Sequence, residues 1–164
     1  METKTASTRT EGLLALFDMQ TAFFSRAIEG LSEEDMYNRL NTKANHMAWL
    51  TGSLVAQRYY MIQDTHPELK QFGEVLFKDN KGIQDEVKYP TNAQYLADWE
   101  KVSPVAREAL IAANDDKLNS EIDMGFMKMS LYEMVSFTIY REASLIGQLA
   151  LWRRLLDYPA LRYD

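Results

Sequence analysis

Ser130-Leu-Tyr-Glu-Met-Val-Ser-Phe-Thr-Ile-Tyr-Arg-Glu-Ala-Ser-Leu-Ile-Gly-Gln-Leu-Ala-Leu-Trp-Arg-Arg-Leu-Leu-Asp157 is the stretch on which the fold turns. It opens with a capping box. Ser130 is placed to take an orphan amide of the first turn, and Glu133 to reach back to the cap. Met134, Phe137, Thr138, Arg141, Leu145, Gln148, Leu149, Trp152 and Leu155 or Leu156 then recur at three- and four-residue steps. That spacing predicts one long amphipathic helix ending before Pro159. Its oddity is Arg141, a charge on a stripe that should be apolar.

Working outward, three more helices carry the same kind of stripe. The first is expected over Thr10 to Ile28, with Leu13, Leu16, Phe17, Gln20, Phe24, Ala27 and Ile28 inward and Gly30 as the stop. Ser32 followed by three acidic residues predicts a short helix. The second long helix is expected over Lys43 to Gln63, with His46, Trp49, Leu50, Ser53, Leu54, Gln57, Tyr60 and Met61 inward and Pro67 beyond its end. Residues 64–90 form a long connection, with a helical turn expected around Glu68 to Phe72. A connection of that length covers a pocket or crosses a bundle. Thr91 caps the third helix, whose stripe is Tyr95, Trp99, Val102, Ala106, Ala109 and Leu110, and Pro104 inside it predicts a kink. Residues 117–129 read as extended or irregular, with no lasting period-two pattern. The expected class is all-α, a four-helix bundle with a long connection between helices 2 and 3. It forms one domain over residues 1–164, with residues 1–8 as a flexible tail.

Composition narrows the function. Lys and Arg number 18 against 24 Asp and Glu, a net charge of −6, which repels phosphate backbones and speaks against a nucleic-acid partner. There are no cysteines, so disulfides, thiolate nucleophiles and cysteine-ligated zinc are excluded. Only two histidines occur, so neither a histidine triad nor a Cys–His dyad can be assembled. No stretch approaches the ~18 apolar residues of a membrane span, and the polar start carries no secretory pattern. The expectation is a cytoplasmic protein with no membrane partner.

Two segments together resemble a known family. One is Asn45-His-Met-Ala-Trp-Leu-Thr-Gly-Ser53-Leu-Val-Ala-Gln-Arg58. The other is Tyr140-Arg-Glu-Ala-Ser-Leu-Ile-Gly-Gln-Leu149, continuing through Arg153-Arg-Leu-Leu-Asp-Tyr-Pro-Ala-Leu-Arg-Tyr163. They resemble the DinB/YfiT-like superfamily of four-helix metalloenzymes, over roughly residues 10–163. The resemblance implies a zinc or nickel ion between helices 2 and 4. Helix 2 supplies one histidine, and helix 4 supplies two, in a His-Glu-x-x-His-x-Gly-Gln pattern. Residues i and i+4 share a helical face, so two imidazoles can hold one ion. In this chain the three positions are Ser53, Arg141 and Leu145. A hydroxyl is a poor ligand for these metals, leucine has no donor, and guanidinium repels cations. The expectation is therefore no metal and no cofactor.

What remains is a degenerate cleft. Its candidate lining is Ser53, Arg141, Leu145, Trp49, Gln57, Tyr60 and Gln20. Arg141 needs a partner if buried: a carboxylate near Glu142, or Asp98 or Glu100, or a hydrogen bond to Ser53 or Gln20. Alternatively it recognises a small anionic ligand. Glu142 lies about 100° around the helix from Arg141 and reads as a surface or interhelical ion pair. His46 reads as a hydrogen-bonded or half-exposed residue near a helix start, and His66 as solvated. Three functions follow: a non-catalytic, metal-free pseudoenzyme that binds a ligand, a metal-independent thiol-dependent S-transferase or isomerase, or a purely structural homodimeric module. The first is preferred, because all three activating ligands are missing. The resemblance also makes a homodimer an expected partner state.

Overall fold

The computed structural model describes residues 4–123 and 125–164. The chain is mostly helical. The elements in order are α1 (Glu11–Ile28), α2 (Met47–Ile62), α3 (Asn92–Ala112), a single-turn α4 (Asp115–Leu118), a hairpin of β1 (Glu121–Asp123) and β2 (Lys128–Ser130), and α5 (Leu131–Leu155). The four long helices ring one core. α1 touches α3 and α5, and α2 touches the same two from the other side. Phe17, Phe24, Leu50, Leu54, Tyr95, Trp99, Val102 and Leu149 fill the centre with almost no exposure.

Each helix start has a chemical cause. Ser130 accepts from the Glu133 amide at 3.2 Å and Glu133 accepts from the Ser130 amide at 2.8 Å, the capping box read in the sequence. Thr91 and Gln94 form the same box on α3. α2 begins at Met47 rather than Lys43, because the cap is His46, whose Nδ1 accepts from the Trp49 amide at 3.1 Å. Leu40 and Asn41 upstream hold left-handed backbone angles that no helix could continue. α3 runs through Pro104 as one helix.

One further expectation is sharpened, since part of the stretch read as extended or irregular forms strands, and two change. Residues 121–123 and 128–130 pair as a short antiparallel hairpin, with Ile122 opposite Met129. No helix forms over Glu68 to Phe72, where the chain makes only a hydrogen-bonded turn from the Leu69 amide to the His66 carbonyl at 3.1 Å, and 3-10 turns follow at Glu74–Leu76 and Lys78–Asn80. The part of the expected loose tail that is described is tied down. The Ala6 amide donates to the Ile111 carbonyl and the Ser7 hydroxyl to Asp115. Residues 1–3 of that tail lie outside the described residues. No helix among the described residues is long and apolar enough to cross a membrane.

Candidate functional site

The inward stripe of α5 is Val135, Thr138, Ile139, Glu142, Leu145, Ile146, Leu149, Trp152 and Arg153. This corrects the phase expected above. Arg141 sits on the flank, half-buried, and Phe137, Gln148 and Leu155 face solvent. The charge at the centre of the stripe is Glu142, and its partner is Arg58 of α2.

Arg58 and Glu142 both have fully buried side chains. Arg58 Nε donates to Glu142 Oε1 at 3.0 Å and Nη2 to Oε2 at 3.1 Å, a bidentate fork. Arg58 Nη1 donates to the hydroxyls of Thr21 and Ser103, both at 2.7 Å, and Nη2 to the Phe17 carbonyl at 3.2 Å. The guanidinium lies between the rings of Phe17 and Trp99, 3.7 and 3.6 Å from their centroids. Burial pushes the Glu142 carboxyl up and the Arg58 guanidinium down, and each is opposed by the other's charge. This group ties all four long helices together and offers nothing to solvent. Arg58 ends one of the two quoted segments, but nothing in its local spacing marks it as a buried ion. The clue in the sequence was Glu142, expected as a surface or an interhelical ion pair, and the second alternative is the one found.

Arg141 has a different neighbourhood. Its Nη2 donates to Ser53 Oγ at 3.2 Å across the α2–α5 seam. Among the described residues no carboxylate oxygen lies within 4.0 Å of it. The expected acidic partners are engaged elsewhere or exposed. Glu142 holds Arg58, Asp98 accepts from the Tyr59 hydroxyl at 3.1 Å and the Phe72 amide at 2.7 Å, and Glu100 faces water. Gln20 is no partner either: its Nε2 donates to the Ile139 carbonyl at 2.8 Å, and its Oε1, the atom that could accept from a guanidinium, is buried with no hydrogen-bond partner among the described residues. Gln57 donates to the Ser53 carbonyl at 3.3 Å, one turn back on its own helix. The Tyr60 hydroxyl donates to the Phe77 carbonyl at 3.1 Å. Burial raises its pKa, with Glu74 and Asp79 adding to the rise and the Arg141 charge opposing it.

The long connection forms the outer wall. Phe77 lies against Gly52, where a Cβ would meet its ring at 2.1 Å and the Tyr95 hydroxyl at 2.6 Å. Trp49 Nε1 donates to the Lys81 carbonyl at 3.3 Å. The structure thus brings Ser53, Arg141 and Tyr60 into one neighbourhood, with Trp49 and Gln57 on the same helix and Leu145 buried in the core. Two surface hollows, of about 530 and 630 Å³, lie beside Pro104 and beside Pro90, and neither is lined by Arg141 or Ser53.

The donors at Ser53, Arg141 and Leu145 do not fit a divalent cation. The nearest hydroxyl already accepts from a permanent cation, and Leu145 offers only carbon. Among the described residues no three His, Cys, Asp or Glu side chains gather where they could hold a metal ion. His46 is buried as a helix cap between Tyr37 and Tyr89, and His66 meets Thr65. Searched against models of known protein families, the chain matches none, and no curated protein matches it.

Proposed function

We propose that this chain is a metal-free, non-catalytic binding protein built as a four-helix bundle of the DinB/YfiT-like type. Its ligand is a small anion, a carboxylate or phosphate, taken at Arg141 in the α2–α5 seam. The closed ring of four long helices and the quoted motifs support the type. The observation that carries the ligand is Arg141 itself. A guanidinium has five donors. Among the described residues this one makes a single hydrogen bond to Ser53 and no ion pair. Its fork is therefore open to a planar or tetrahedral oxyanion. The contrast with Arg58, all of whose nitrogens are engaged, shows how this fold satisfies an arginine meant only for structure.

Calorimetry with inorganic phosphate and with acetate tests the reading, on tag-free protein whose zinc and nickel content is measured. Saturable binding of one of the two is expected, weakened at least tenfold in Arg141→Gln, with metal far below one ion per chain. Binding that survives the substitution, no binding of either anion, or one bound zinc or nickel per chain would each overturn it.

A further inference from the structure

Arg141 is not the only charge left open beside the α2–α5 seam. The outer wall carries two carboxylates, Glu74 in the Glu74–Leu76 turn and Asp79 in the Lys78–Asn80 turn. Glu74 is paired with Lys70 at 3.3 Å. Asp79 is exposed and makes no ion pair among the described residues. Lys81, the cation two residues on, donates instead to the Val75 carbonyl at 3.0 Å. The turn that carries Asp79 is clamped to α2 on both sides. Two residues before it, the Phe77 carbonyl accepts from the Tyr60 hydroxyl at 3.1 Å, and two residues after it, the Lys81 carbonyl accepts from Trp49 Nε1 at 3.3 Å. Trp49, Ser53 and Tyr60 fall within an arc of about 40° on α2 at 100° per residue. The segment 77–81 therefore spans the face of α2 on which Ser53 sits, and Ser53 is the residue that Arg141 reaches from α5.

Two opposite charges thus stand on different walls of one seam without meeting. No carboxylate oxygen lies within 4.0 Å of Arg141 among the described residues. Yet both charges act on the half-buried Tyr60 phenol: Asp79 helps to raise its pKa and Arg141 opposes the rise. Charges near enough to share one phenol, but apart from each other, leave room for a molecule that carries the complementary pair. An oxyanion alone would answer Arg141 and be repelled by Asp79, a multiply charged phosphate most of all. A carboxylate with an ammonium group a short methylene chain away would answer both. Resting on the reading of Arg141 as an anion site, we infer that the ligand is a small amino-acid zwitterion, its carboxylate on the Arg141 fork and its ammonium on Asp79.

Calorimetry with butyrate and 4-aminobutyrate at constant ionic strength tests this, because the two differ only in the ammonium group. The wild-type chain should bind 4-aminobutyrate about threefold more tightly than butyrate, the gain expected of one exposed ion pair. Asp79→Asn should abolish that preference and leave butyrate bound at least as well as before. Asparagine tolerates the left-handed backbone that Asp79 holds at φ 57°, so the turn is kept. Arg141→Gln should weaken both ligands at least tenfold. Equal binding of the two by the wild-type chain, or a preference that survives Asp79→Asn, would overturn the zwitterion and leave the anion site standing. So would binding of phosphate with neither carboxylate bound. Failure of 4-aminobutyrate, butyrate, acetate and phosphate alike to bind would overturn both readings.

Discussion

Arg58 recovers the hydration it loses on folding through five hydrogen bonds and two aromatic faces, so the pair with Glu142 is complete only while both ions are present. Glu142→Leu leaves a buried guanidinium without its counter-ion and should cost about 3–5 kcal/mol, read as a fall in the urea midpoint. The double variant Arg58→Met with Glu142→Leu should recover most of that loss, because no ion is then left unpaired. A single-variant cost below about 1 kcal/mol, or a double variant no better than the single, would contradict this role. Arg141, one residue before Glu142, is governed by other physics. It is half-buried at a seam, and its one partner is a hydroxyl.

At the scale of elements, α2 owes its start and one of its contacts to two small features. His46 caps it through Nδ1, and burial holds the imidazole below its ordinary value of 6.5. As pH falls through about 6.5, the unfolded chain takes up a proton that the folded chain refuses. Stability from this group is therefore complete above that pH and lost below it. The urea midpoint should drop between pH 7.5 and 5.5, and drop less in His46→Asn, which keeps a cap acceptor. An identical drop in both proteins would place the effect elsewhere. Gly52 is where the long connection meets α2, with Phe77 and Tyr95 occupying the space of a Cβ. Gly52→Ala should lower stability by about 1–3 kcal/mol in thermal unfolding, and an unchanged midpoint would show that Phe77 moves aside at no cost.

Across the whole molecule, the helices were legible because periodicity and caps agree. Ser130 with Glu133 and Thr91 with Gln94 are both capping boxes, and Gly30 does end α1's region in a left-handed conformation. The facing of α5 was not legible. Leu151, Leu155, Phe137 and Tyr140 make its outer face nearly as apolar as its inner one, so hydrophobic spacing gives the period without the phase. An error of one residue there exchanged Arg141 for Glu142 at the centre of the core. The Arg58–Glu142 pair joins residues 84 apart in sequence, and no local pattern reports such a contact. The Ser53–Arg141 contact was one of several partners left open for Arg141, beside Gln20 and the carboxylates, and it was offered because the resemblance sets both residues at ligand positions of one site.

The proposal that Arg141 is a ligand-binding arginine and Arg58 a structural one is open to a single spectroscopic comparison. In a nitrogen–proton correlation spectrum the Nε–H signals of the two residues are observed together during a phosphate or acetate titration at constant ionic strength. The expected result is a saturable shift of the Arg141 signal with that of Arg58 unmoved. An Arg141 signal that stays still for both anions, or that moves only in step with Arg58, would contradict it.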